Sequence, residues 1–118
     1  MTNSTEPSRD GRAGEESAVP ADRIDGCPDR SVEREADVFA ALGSETRYRL
    51  LLLLSVADGE VPVRALESQL AVGQSSVSQA LTRLRKAKLV TRRTDGRWRY
   101  YQLTPLAERL LETIDDRP

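Results

Sequence analysis

The sequence predicts a mainly α-helical domain with one small β-hairpin, its elements in the order α-α-α-α-β-β-α, behind a tail of about 30 residues. Three observations predict it. Apolar residues recur at helical spacing through four segments between residues 32 and 88. Two runs rich in aromatic and β-branched residues then flank Asp95-Gly96, a strong hairpin signal. A last amphipathic stretch opens on Pro105, and proline suits the first turn of a helix.

A chain of 118 residues has room for one core. Its longest strictly apolar run, Leu50–Leu54, is far short of a bilayer span, so no membrane partner is expected. The chain has no His and a single Cys, Cys27. It cannot assemble a His- or Cys-rich zinc site from its own residues, nor a His-dependent triad or Cys–His dyad. No metal, no cofactor and no catalytic residues are expected. One cysteine also excludes an intramolecular disulfide and points to a reducing, cytoplasmic compartment.

Residues 1–30 hold Gly11, Gly14, Gly26, Pro7, Pro20 and Pro28, few large apolar side chains, and a net charge of −3. Such a segment buries too little apolar surface to offset its ordering entropy, and a disordered acidic tail is expected. It has no apolar core of a secretory signal. The domain is expected over residues 31–118. Ser31 is placed to cap a first helix carrying Val38, Phe39, Ala41 and Leu42, with Gly43 as its stop. Ser44 is placed to cap a second, whose run Leu50–Leu54 is apolar on nearly every face and predicts a buried central helix. Val61-Pro62-Val63 leads into a short third helix with Leu66, Leu70 and Val72 inward, broken at Gly73. The fourth spans Gln74–Lys88, capped by Ser75 or Ser76, with Val77, Leu81 and Leu84 inward. A short helix, a Gly-containing turn and a second helix polar on one face make a helix-turn-helix. Val90–Arg93 and Arg97–Leu103 read as strands around a Thr94-Asp95-Gly96 tip, and together the elements describe a winged helix-turn-helix.

The net charge of −1 conceals an uneven distribution. Gln74–Arg99 carries eight basic residues against Asp95 alone, a local +7, while every other segment is acidic. Basic charge concentrated on a recognition helix and its wing is the footprint of a nucleic-acid binder, and double-stranded DNA is the expected partner. A helix in the major groove reads base edges with its N-terminal half. That places Gln74, Ser75, Ser76, Ser78 and Gln79 at the bases, with Thr82, Arg83 and Lys86 further along the same face. Helix capping is the competing role for the serines. Arg93 and Arg97 flank the hairpin tip, where they reach an adjacent minor groove. Trp98 lies on the hairpin face opposite Tyr101 and is expected as a lid on the small core, a base or partner contact being the competing role. The first and last helices hold more apolar residues than one small domain needs. Val38, Leu106, Leu110, Leu111 and Ile114 are therefore expected at a homodimer interface.

The stretches Phe39-Ala-Ala-Leu-Gly-Ser-Glu-Thr-Arg-Tyr-Arg-Leu, Gln74-Ser-Ser-Val-Ser-Gln-Ala-Leu-Thr-Arg-Leu-Arg-Lys-Ala-Lys-Leu-Val and Asp95-Gly-Arg-Trp-Arg-Tyr-Tyr-Gln-Leu resemble the ArsR/SmtB family of prokaryotic repressors. The resemblance runs from about Ser31 to Ile114. It implies a winged-helix homodimer joined through its first and last helices. It also implies operator binding relieved by an inducer, with Gln74–Arg83 reading DNA and Arg93 to Arg97 as the wing. Metal-sensing members carry Cys-x-Cys at the start of the third helix, where this chain has Pro62 and Arg64. Others use Asp and His in the last helix, where Glu108, Glu112, Asp115 and Asp116 supply carboxylates without imidazole. The usual sensor is therefore absent, and the inducer is left open. Cys27 is read as a free thiol or a redox handle. The sequence points to a DNA-binding transcriptional repressor. The alternative is a winged-helix protein-interaction module, against which the basic recognition face argues.

Overall fold

The computed structural model describes residues 19–23, 26, 28–115 and 117. Two units are distinguished, Met1–Arg30 and Ser31–Pro118. In the first, Ala21–Arg23 form one 3-10 turn, closed by the Arg23 amide donating to the Pro20 carbonyl at 3.0 Å. The reading of residues 1–18 as a tail, and of Cys27, lies outside the described residues.

The second unit runs α1 (Val32–Leu42), α2 (Glu45–Ala57), β1 (Val61–Pro62), α3 (Val63–Gln69), α4 (Gln74–Lys86), β2 (Val90–Asp95), β3 (Trp98–Leu103) and α5 (Pro105–Ile114). One strand is additional to the expected order. Val61 and Pro62 pair with Tyr101 and Tyr100, making an antiparallel sheet in the order β1-β3-β2. Two residues are too few to show alternation, and a proline is tolerated there because β1 is an edge.

The hairpin tip also lies one residue later than expected. Pairing continues to Asp95 opposite Trp98, so the two central turn residues are Gly96 and Arg97. Gly96 takes φ +60°, the left-handed conformation that a two-residue hairpin turn demands of its first residue.

Helix starts follow the expected chemistry unevenly. Ser44 caps α2, its hydroxyl accepting from the Arg47 amide at 3.3 Å. Ser31 makes no side-chain cap on α1. At α4 the capping position belongs to Gly73, so neither Ser75 nor Ser76 is spent on a cap. Arg47 closes the other end of α1: its Nε donates to the Ala41 carbonyl at 2.8 Å and its Nη2 to the Ala40 carbonyl at 3.2 Å. Helix α4 ends at Lys86, and Lys88 adopts φ +62°. The Leu89 amide then donates to the Leu84 carbonyl and the Lys88 amide to that of Arg85, both at 3.0 Å, a Schellman closure without its usual glycine. Thr104 bolts this turn down. Its hydroxyl donates to the Lys88 carbonyl at 2.8 Å while accepting from the Ala107 amide at the start of α5.

Leu50, Leu51, Leu54, Leu66, Val77, Leu81, Leu84 and Leu89 form the centre of the core. The five-leucine run wraps around α2, yet a domain this small covers only part of that helix, and Leu52 and Val56 remain exposed. The expected interface residues divide similarly. Val38 and Leu111 are only 7% and 9% exposed and belong to the core of their own chain. Leu106 and Leu110 pack half-buried against it, and Ile114 is exposed. On α1 the outward large apolar residues are Val32, 56% exposed in the first turn, and Phe39, 69% exposed, one position past Val38. Among the described residues no helix is long and apolar enough to cross a membrane.

Candidate nucleic-acid interface

Helix α4 turns Val77, Ala80, Leu81 and Leu84 inward, so helical periodicity forces the intervening residues outward. Gln74, Ser75, Ser76, Ser78, Gln79, Thr82, Arg83 and Lys86 are all exposed. Among the described residues the hydroxyls of Ser75, Ser76 and Ser78 and the Gln79 amide have no hydrogen-bond partner. Thr82 differs, since its hydroxyl donates back to the Ser78 carbonyl at 3.0 Å. Gly73 brings no side chain to the helix start, so the first backbone N–H groups and the positive end of the helix dipole face outward with these side chains. The result is a donor-rich helix end with uncommitted amide and hydroxyl groups, suited to base edges and phosphate oxygens.

The wing separates its two expected arginines. Arg97 sits in the turn itself, exposed and without a carboxylate partner among the described residues. Arg93 does not flank the tip. Register places it opposite Tyr100, which pairs on its other side with Pro62. Its guanidinium lies 4.7 Å from the centre of the Tyr100 ring and reaches across the sheet to Glu60, just before β1. Nε donates to one Glu60 oxygen at 2.8 Å and Nη2 to the other at 3.0 Å. The hydrogen bond from Arg93 holds the Glu60 carboxyl below its ordinary range, and the same bond raises Arg93. Arg93 thus ties β2 to the far edge of the sheet.

Arg64, given no place at the DNA from the sequence, borders this surface. Arg64 of α3 lies over Trp98 of β3, 4.3 Å from the ring centre. Trp98 is not a lid on the core; it is 43% exposed and carries the arginine. Arg99 is exposed beside it. A groove of about 530 Å³ runs here between α3, the first turns of α4, and β3. No local pattern links Arg64 to Trp98, which are brought together only by the pairing of β1 with β3. At the other end of the domain, Asp115 of the proposed carboxylate set is held by Arg117 through both oxygens, at 2.9 Å each, and Asp116 lies outside the described residues.

A helix-turn-helix with a donor-rich outer face, followed by a basic hairpin, defines a DNA-binding transcription regulator of the winged-helix class. Comparison with known proteins narrows this. The MarR family model matches residues 44–97, from the cap of α2 to the hairpin turn. A candidate arsenical resistance operon repressor of Halobacterium salinarum, ArsR2, is 48% identical over 102 residues, covering 80% of this chain and 86% of that protein. Among solved structures, HlyU from Vibrio cholerae superposes with a TM-score of 0.65 at 27% identity, over 74% of this chain and 94% of HlyU. The transcriptional repressor BigR from Xylella fastidiosa gives 0.56 at 28% identity, over 72% of this chain and 90% of BigR. The chain belongs to the ArsR family of transcriptional regulators.

Proposed function

We propose that this protein represses transcription by binding operator DNA as a homodimer in the cytoplasm. Helix α4 enters the major groove, where Gln74, Ser75, Ser76, Ser78 and Gln79 read base edges. Arg83, Lys86 and Arg97 contact phosphate, Arg97 from the wing at the adjacent minor groove, and Thr82 lies along the same face. The observation that carries this reading is the uncommitted state of that surface: outward amide, hydroxyl and guanidinium groups without internal partners, in a segment of net charge +7. A domain that needed these groups for its own folding would have paired them. The same basic face disfavours a purely protein-binding role.

The dimer brings α1 and α5 of two copies together. Phe39 and Ile114 supply apolar surface that one chain leaves uncovered, with Leu106 and Leu110 at its margin. One recognition helix of this length spans only about 20 Å, and two-fold pairing doubles the site. Relatives carry names tied to arsenical resistance. Here Pro62 and Arg64 offer no thiolate, and a single cysteine per chain cannot build a multi-thiolate site within one protomer. Release of the operator is therefore not tied to thiolate ligation on α3. Footprinting on DNA from upstream of the protein's own gene tests the reading. Two protected half-sites about 10 base pairs apart, centre to centre, are expected. A single unpaired half-site would remove the dimer, and an unprotected duplex the operator.

A further inference from the structure

We propose that the groove between α3, the first turns of α4, and β3 seats the DNA strand that separates the major from the minor groove, with Arg64 as a phosphate contact held ready by the Trp98 ring. The proposal rests on the docking described above and adds a contact on a third element. With α4 in one groove and the Gly96-Arg97 turn in the next, the intervening sugar–phosphate strand has to cross the space between them. That space is this groove.

Its walls fit a phosphodiester. Arg64, Arg97 and Arg99 face Glu67 as the one carboxylate in the lining, and Ser75 and Ser78 add hydroxyl donors. None of the three arginines has an ion-pair partner among the described residues. Four arginines elsewhere are committed: Arg47 to helix carbonyls, Arg49 to Glu45, Arg93 to Glu60 and Arg117 to Asp115. What sets the groove apart is convergence, three unpaired arginines lining one concave surface.

The Arg64–Trp98 contact explains how a flexible side chain is made ready. At 4.3 Å from the ring centre, the guanidinium is attracted through its face. Its N–H donors make no hydrogen bond among the described residues. Stacking therefore fixes the position of Arg64 without consuming the groups that bind phosphate, and less side-chain entropy is lost when DNA arrives. It also gives the half-exposed Trp98 a function beside the hairpin turn.

The test is fluorescence anisotropy of the full chain with two labelled duplexes, one from upstream of its own gene and one of random sequence, across a salt series. Arg64→Gln is expected to weaken both about equally, by roughly three- to tenfold at low salt. It should flatten the slope of log K against log salt by about one unit. Trp98→Leu keeps the charge and removes its seat, so affinity is expected to fall about two- to fivefold with the slope nearly unchanged. Arg64→Lys is expected to keep the slope as well, and circular dichroism melting checks that each variant is folded. Wild-type affinity and slope in Arg64→Gln, in a series where Arg97→Ala lowers both, would overturn the groove and leave the docking standing. A wild-type chain that binds neither duplex would instead remove the docking itself.

Discussion

Arg47 offers the sharpest test of how this small domain holds its first helix. The last carbonyls of a helix lack partners within it; that of Ala41 accepts from Arg47 Nε at 2.8 Å, while that of Ala40 accepts from Arg47 Nη2 at 3.2 Å and from the Gly43 amide at 3.1 Å. Ala41 is fully buried, so its carbonyl is far from water. Arg47→Met keeps an aliphatic stem of similar length and removes both donors. Hydrogen bonds to charged groups contribute about 1.5–3 kcal/mol, and partial exposure of Arg47 puts the pair near the lower bound, so a loss of about 2 kcal/mol is expected. For a domain of this size that lowers the melting midpoint by about 8–16 °C. Urea unfolding at fixed protein concentration measures it, concentration being held because dimer dissociation contributes. Arg47→Lys retains the charge with a single donor centre and should recover roughly half. A loss under about 0.5 kcal/mol for Arg47→Met would show that α1 does not depend on this closure.

Three further outcomes are expected. Lys88→Gly relieves a left-handed residue in the Schellman turn and should raise unfolding stability by about 0.5–1 kcal/mol; an unchanged or lower urea midpoint would contradict the assigned backbone. The Glu60 carboxyl should titrate below an ordinary glutamate by NMR. Because its folded value is lowered, the Arg93 tether is fully present above the unfolded value and is lost as pH falls through the folded one, and Glu60→Gln should remove that acid-side dependence. Gln79→Ala should reduce discrimination between operator and random duplex by about 1–3 kcal/mol while leaving the salt slope intact, which competition binding reads directly.

The helical skeleton was legible because its spacing is local. Val77, Leu81 and Leu84 fix the inward face of α4, and the outward face follows. Asp95-Gly96 announced a hairpin, yet register decides which residues occupy the turn, and moving the turn to Gly96 and Arg97 carried Arg93 away from the tip. That shift gives Arg93 a partner across the sheet, since only pairing places it opposite Tyr100 and within reach of Glu60. Strand β1 was hidden by its shortness, and with it the approach of Arg64 to Trp98. On α1, the choice between Val38 and Phe39 as the inward residue depends on the helix's rotation against α2. Apolar content alone does not distinguish neighbours, and Val38 took the core. The lack of thiolate and imidazole on the sensor helices needed no structure, because composition excludes them.

Salt-dependent discrimination between two duplexes reports operator binding by this chain directly. The full chain is titrated against DNA from upstream of its own gene and against a random duplex of equal length, from low to high salt. Both duplexes are expected to bind at low salt and to weaken along straight lines in log salt, as phosphate contacts release counterions. The upstream duplex is expected to be held at least about a thousandfold more tightly at moderate salt. Equal affinity for the two duplexes, or binding that does not weaken as salt rises, would contradict operator binding.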